Sequence, residues 1–213
     1  MAAQTFQGEP HPATTLPQPI RTVFAQGTIR AVILCEIVTV LAALFPSPTS
    51  SFALALLDRH SPAGRGAQRV RITPAFALGW AILMAGGLLR LACYRELGKH
   101  FTFELTIRKD HSLVTSGPYA VVRHPSYSAL ALVVLGCLVA FFGRGSWLRE
   151  CGILDTVAGR AFAVAWVAEL LYVPAMMVFA RVRTEDEMLR KEFGSQWEEW
   201  AKRTPYVLIP GLF

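Results

Sequence analysis

The stretch V-F-A-Q-G-T-I-R-A-V-I-L-C-E-I-V-T-V-L-A-A-L-F, from Val23 to Phe45, runs for 23 residues with only two charges. About 20 apolar residues suffice for an α-helix to cross the hydrocarbon core of a bilayer. A helix also satisfies its own backbone there, so the run reads as a transmembrane helix. Arg30 lies near one end, where its long side chain can snorkel to the headgroups. Glu36 lies deeper and must face protein, either as a functional group or as the partner of Arg30 or Arg90.

Three further apolar runs follow, at 72–94, 127–142 and 161–180. Thr73-Pro74 opens the second, proline being tolerated in a first helical turn. Its Gly79, Gly86 and Gly87 would let another helix approach closely. The third is uncharged and short, with Ser126 and Gly143 able to extend it. The fourth carries Glu169 and also Pro174, which predicts a kink. A smaller apolar piece, 52–57, cannot span.

Composition agrees: 53% of residues are hydrophobic and 17% charged, against about 25% charged in a soluble domain. Intrinsic disorder is excluded on the same grounds. The four cysteines, Cys35, Cys93, Cys137 and Cys151, form no C-x-x-C pair, so neither a zinc site nor a disulfide framework is signalled. The net charge of +6 is spread over short loops, not gathered on one aromatic-studded face as nucleic-acid binding requires. The pattern predicts an all-α integral membrane protein with about four transmembrane helices, in contact with the lipid bilayer and with no nucleic acid or metal.

The remaining segments are polar. Residues 1–22 are Pro-rich and read as a flexible tail with no signal-peptide pattern. Residues 101–107 alternate apolar and polar, as in a short extended segment. Gly117-Pro118 and His124-Pro125 mark a loop. Beyond 181, Met188, Leu189, Phe193, Trp197 and Trp200 predict one amphipathic helix over 181–202, lying on the membrane surface or on the protein. Four spans put both chain ends and the 95–126 loop on one side. That side holds twelve Lys and Arg (Arg21, five in 95–126, six in 181–203), against seven on the other (four in 58–71, three in 143–160). The bias places the loop and the C-terminus in the cytosol.

Two polar segments therefore meet the same face: H-S-L-V-T-S-G-P-Y-A-V-V-R-H-P-S-Y at 111–127 and R-V-R-T-E-D-E-M-L-R-K-E-F-G at 181–194. On residues alone, His124 beside a proline is either a helix cap or a ligand contact, and Arg123 is an interfacial anchor. Arg181 and Glu185, four apart, share a helix face. They form either a surface ion pair, or a guanidinium fork and a carboxylate aimed into a cavity.

Taken together, these two segments closely resemble the isoprenylcysteine carboxyl methyltransferases. The resemblance covers residues 95–213, the catalytic region, with residues 23–94 contributing two N-terminal transmembrane helices. It implies an integral enzyme of the endoplasmic reticulum membrane that uses S-adenosyl-L-methionine to methylate the free carboxylate of a prenylated C-terminal cysteine in CaaX proteins. It further implies that a cytosolic loop holds the cofactor through His111, Ser112, Leu113, Val114, Tyr119, His124, Pro125, Ser126 and Tyr127, with Glu185 from the later helix. Arg181 would bind the substrate, and Arg181 and Glu185 would be the catalytic pair. Thr106 is the nearest candidate for one further polar contact. Four positions depart from the family pattern: Ala129 replaces a usual glycine, Asp186 a glutamate, and Trp197 with Trp200 a tyrosine pair.

The implied chemistry needs no general base, because a chain-terminal carboxylate (pKa about 3.3–3.7) is already ionised at pH 7. No Gly-rich strand-to-helix turn of the soluble dinucleotide-binding kind is present. Alternatives are a methyltransferase of the same fold acting on a phospholipid amine or another small lipophile, a nicotinamide-dependent reductase of the wider superfamily, and a non-catalytic scaffold.

Overall fold

The computed structural model describes residues 18–61, 64–98 and 112–212. Among these residues the protein is all α-helical with no sheet. Its helices are α1 (Gln18–Leu44), α2 (Pro48–Leu57), α3 (Pro74–Leu97), α4 (Pro125–Phe142), α5 (Trp147–Glu150), α6 (Val157–Phe193) and α7 (Ser195–Arg203). Three segments are long and apolar enough to cross a membrane: Gly27–Leu44, Pro74–Leu97 and Pro125–Glu150. The fourth apolar run, 161–180, is not among the three. It is helical as part of α6, whose assignment continues past position 174. At 1.5 Å per residue, the 37 residues of α6 reach about 55 Å. That exceeds a hydrocarbon core of about 30 Å, so α6 projects well beyond any single crossing. The alternating segment 101–107, Thr106, His111 and residues 1–17 lie outside the described residues.

Local chemistry sets the helix ends. Thr73 caps α3 by accepting from the Phe76 amide at 3.2 Å, ahead of Pro74 in the first turn. Ser47 does the same for α2 through the Ser50 amide at 3.0 Å. Side-chain capping of this kind satisfies amides that the first turn leaves without intrahelical partners.

Within a membrane, apolar burial gives helices little reason to associate, and close van der Waals packing takes over. The pairing of α3 with α4, the most extensive among the described residues, is built this way. A Cβ on Gly79 would lie 2.6 Å from the Ala140 amide, and one on Gly136 would lie 2.6 Å from the Leu83 amide. A Cβ on Gly86 would meet the carbonyl oxygen of Ala129 at 2.9 Å. Gly87, expected to help, has nothing within 4 Å and takes no part. Ala129 is fully buried in this seam, so its methyl group serves helix packing. A second cluster joins α1, α4, α5 and α6 through Val32, Cys137, Phe141, Leu148 and Trp166. Glu36 accepts a hydrogen bond from the Trp147 backbone, not from Arg30 or Arg90. The four cysteines are free.

The C-terminal region differs from the single helix expected over 181–202. Gly194, at φ +50°, breaks it. Positive φ is the region that glycine enters without steric cost. The chain turns there, and α7 packs Trp200, buried, onto Cys93 of α3 and Tyr119.

Candidate active site

The polar end of α3, the loop before α4 and the projecting part of α6 converge. His124 sits at the mouth of α4 and is buried. Pro125 follows it, which keeps His124 out of the helical conformation, at φ −125° and ψ 62°. Its ring enters a pair of carboxylates. Nε2 is 2.9 Å from Asp186 Oδ1, and Nδ1 is 3.3 Å from Glu185 Oε2. Neighbouring residues of a helix point about 100° apart, yet the two ring nitrogens also face different ways, so one imidazole meets both. Tyr127, three residues into the same segment, donates its hydroxyl to Glu185 Oε1 at 2.6 Å. Arg123 Nε lies 3.5 Å from Asp186 Oδ2. Arg181, one turn before Glu185, interacts with the Tyr127 hydroxyl.

Both ring nitrogens of His124 can donate only if the imidazole is doubly protonated. Burial alone would depress its pKa, but the hydrogen bonds and charges of Asp186 and Glu185 outweigh burial and hold it above the usual 6.5.

Tyr119 closes the floor of the site. Its ring is buried with Cys93 and Trp200, and Leu113, Val114 and Trp197 pack on that cluster. Burial pushes its phenol pKa up, and the Cys93 thiol and the Glu185 charge add to the effect. The loop is strapped from the chain's far end. Trp200 Nε1 donates to the Tyr119 carbonyl at 3.0 Å. The amides of Arg123 and His124 donate to the carbonyls of Tyr206 and Val207, both at 2.9 Å. Ser128 Oγ donates to Leu208 O at 2.5 Å.

Of the residues the sequence singles out, the structure therefore brings His124, Tyr127, Arg181 and Glu185 into contact, with Tyr119, Leu113 and Val114 on the adjoining floor. Pro125 is buried in the first turn of α4. Ser126 instead faces Arg90, whose Nη1 lies 3.4 Å from its carbonyl and 3.5 Å from its hydroxyl. Ser112 is exposed at the loop's start, and His111 lies outside the described residues. Sequence reasoning missed Asp186 as the second partner of His124, Arg90 as the partner of Ser126, and the strap at 204–208. The adjacent acids Glu185-Asp186 were the visible signal for the first; nothing local signals the strap.

Residues 78–146, which carry α3, the loop and α4, match the isoprenylcysteine carboxyl methyltransferase (ICMT) family. Over these residues the chain shows homology to that family. It is 29% identical over 129 residues to protein-S-isoprenylcysteine O-methyltransferase B of Arabidopsis thaliana, covering 60% of this chain and 55% of that protein. It is 31% identical over 101 residues to the delta(14)-sterol reductase TM7SF2 of Mus musculus, covering 47% and 20%. It is 37% identical over 98 residues to the cobalt-zinc-cadmium resistance protein CzcN of Cupriavidus metallidurans, covering 46% and 36%. The chain thus spans about half or less of the length of these curated relatives. No group of His, Cys, Asp and Glu among the described residues could hold a metal.

S-adenosylmethionine, the cofactor the resemblance implies, carries a sulfonium, an ammonium, a carboxylate and hydroxyl groups. The donor set of the site fits such a molecule. Glu185 and Asp186 offer carboxylate lone pairs beyond those already engaged, suited to cationic and hydroxyl groups. The buried indole N–H of Trp197 has no hydrogen-bond partner among the described residues, and Arg123 Nε has only its 3.5 Å ion pair with Asp186. A buried donor without a partner costs free energy, and an acceptor on a ligand would relieve it.

Proposed function

We propose that this chain is an S-adenosylmethionine-dependent methyltransferase acting on the C-terminal carboxylate of a prenylated cysteine, at the cytosolic face of the endoplasmic reticulum membrane. The observation that carries this reading is the convergence of Arg181 and Glu185 on His124 and Tyr127 at one end of a lipid-embedded helix pair. Bound cofactor supplies an electrophilic methyl group. The protein's own residues supply position and charge. Arg181 orients the acceptor carboxylate through its fork. Glu185, held by Tyr127 and His124, sits one helical turn away to hold the cofactor. Leu113, Val114, Tyr119 and Trp197 provide the apolar floor.

Alignment of two reactants can account for roughly 7–11 kcal/mol of a barrier, and the ionised acceptor needs no base. A prenyl chain belongs in lipid, and α6 presents exposed Leu171, Tyr172, Met176 and Phe179 on the way to Arg181.

The test is methyl transfer from labelled cofactor to N-acetyl-farnesylcysteine by the purified protein in detergent. Transfer that disappears when the free carboxylate is blocked is the expected result. Transfer to phosphatidylethanolamine instead would move the acceptor to a lipid amine. Failure to bind S-adenosylmethionine or its demethylated product would leave a non-catalytic scaffold.

A further inference from the structure

The opposite end of the α3–α4 pair carries a second site, unrelated to the chemistry above. Pro74 and Arg90 are 16 residues apart on α3, about 24 Å of helix. Around Pro74 lies a cavity of about 530 Å³ whose lining includes Arg69, Arg71, Thr73, Arg144 and Glu150.

This cavity is held in shape by backbone contacts. The Arg71 amide donates to the Gly145 carbonyl at 3.2 Å, and Thr73 Oγ1 donates to the Arg144 carbonyl at 2.6 Å. Gly145, at φ +90°, lies so close that a Cβ there would sit 2.4 Å from the Arg71 carbonyl oxygen. The segments bearing Arg71 and Arg144 are therefore fastened side by side. Glu150 forms no ion pair with them: its Oε1 accepts from the Gly145 amide at 2.9 Å. None of the guanidiniums of Arg69, Arg71 and Arg144 has an ion pair or side-chain hydrogen bond among the described residues. Three arginines against one glutamate leave the cavity a formal charge of +2.

Converged cations that outnumber their counter-charge repel one another, and guanidinium forks match phosphoryl oxygens. Position distinguishes a lipid headgroup from a free anion. The membrane-crossing segment Pro74–Leu97 begins at the cavity itself. Ile72 is 81% exposed, and Leu78 and Trp80 project from α3 just below, one to two turns deeper. An acyl chain lying along these side chains would leave its phosphate level with Arg71 and Arg144. We infer that this cavity binds the phosphate of an anionic phospholipid headgroup.

The experiment uses the full-length protein in detergent, with retained lipid read by native mass spectrometry. Phosphatidylglycerol should be held in preference to phosphatidylcholine. Each guanidinium near a membrane surface should contribute about fivefold, so Arg69→Gln/Arg71→Gln/Arg144→Gln should weaken phosphatidylglycerol retention by about 100-fold. A charge-matched control at the other end of the molecule, Arg183→Gln/Lys202→Gln/Arg203→Gln, should retain it as the parent does. Should the glutamine variant fail to fold, Arg69→Lys/Arg71→Lys/Arg144→Lys keeps the charge, loses the forks and should still weaken retention several-fold. Equal retention of the two lipids by the parent would overturn the inference. Equal loss in the control would also overturn it, as would displacement of phosphatidylglycerol by inorganic phosphate at matched concentration.

Discussion

Replacing Asp186 with alanine tests the clamp that joins α6 to the mouth of α4. The change removes the 2.9 Å contact to His124 Nε2 and the 3.5 Å contact to Arg123. His124 is 5% exposed and Asp186 18%, so solvent screens the pair only slightly. A charge-assisted hydrogen bond in such a setting contributes about 1.5–3 kcal/mol. Stripping a fully buried ion of its partner costs about 3–5 kcal/mol, but Glu185 still faces Nδ1, so the loss should fall near 2 kcal/mol. The sign of its pH dependence follows from the raised pKa of His124. Stabilisation by the imidazolium is fully present below about pH 6.5, the unfolded value, and disappears as pH climbs through the folded one. Over that window the parent should lose up to about 1.4 kcal/mol per pH unit. Asp186→Ala, with a smaller pKa elevation, should lose less. The assay is melting in detergent followed by circular dichroism, at pH 6 and again at pH 9. The gap between parent and variant should be widest at pH 6 and narrow at pH 9. A gap that is constant, or wider at pH 9, would refute a charged His124 between two carboxylates.

Other perturbations separate packing from chemistry. Arg181→Ala should lower methyl transfer to a farnesylcysteine analogue by about 100-fold while leaving binding of S-adenosylhomocysteine within about twofold. Equal turnover would remove Arg181 from acceptor positioning. Trp197→Phe keeps the ring and deletes the unpartnered N–H, so cofactor affinity should fall up to about tenfold with unchanged melting; calorimetric titration decides it. Gly136→Val drives a side chain toward the Leu83 amide of α3, and should destabilise by at least about 1–3 kcal/mol. Gly87→Ala meets nothing within 4 Å and should melt no lower than the parent.

Membrane character was legible in the sequence because it depends on length and polarity, which are local properties. The runs at 23–45, 72–94 and 127–142 correspond to α1, α3 and α4 with shifts of a few residues. The single helix expected over 181–202 is split between α6 and α7, since a hydrophobic stripe continues through a glycine whose backbone turn is invisible to periodicity. Gly79 and Gly87 look equivalent in the sequence, but only the first faces α4, a distinction made by helix rotation. At the site, the two motifs pointed to His124, Tyr127, Arg181 and Glu185 through the family resemblance they carry. They did not announce who touches whom. Asp186, which stands where the family pattern has a glutamate, makes the shorter of the two contacts to His124. The strap from Tyr206 to Leu208 works through backbone carbonyls, which any side chain could have supplied.

Those contacts explain why the chain needs so long a sixth helix and a return after it. A helix ending at a membrane surface near Ala180 would stop before Glu185 and Asp186, and His124 would be a buried cation without a counter-charge. Continuing α6 to Phe193 brings both carboxylates to the α4 mouth but carries the chain away from the bundle. Gly194 reverses that departure. Its positive φ redirects α7 so that Trp200 is buried on Cys93 and Tyr119 and its indole fixes the Tyr119 carbonyl. The residues after α7 then run back along Arg123 and His124. The loop between α3 and α4 is thus gripped from two directions, by carboxylates on its side chains and by carbonyls on its backbone. Substituting Gly194 with a β-branched residue, which resists positive φ, should release α7 and the strap together. His124 would then lose its backbone acceptor at Val207 while keeping Glu185 and Asp186, so the loop should gain proteolytic sensitivity before the apolar helices unfold.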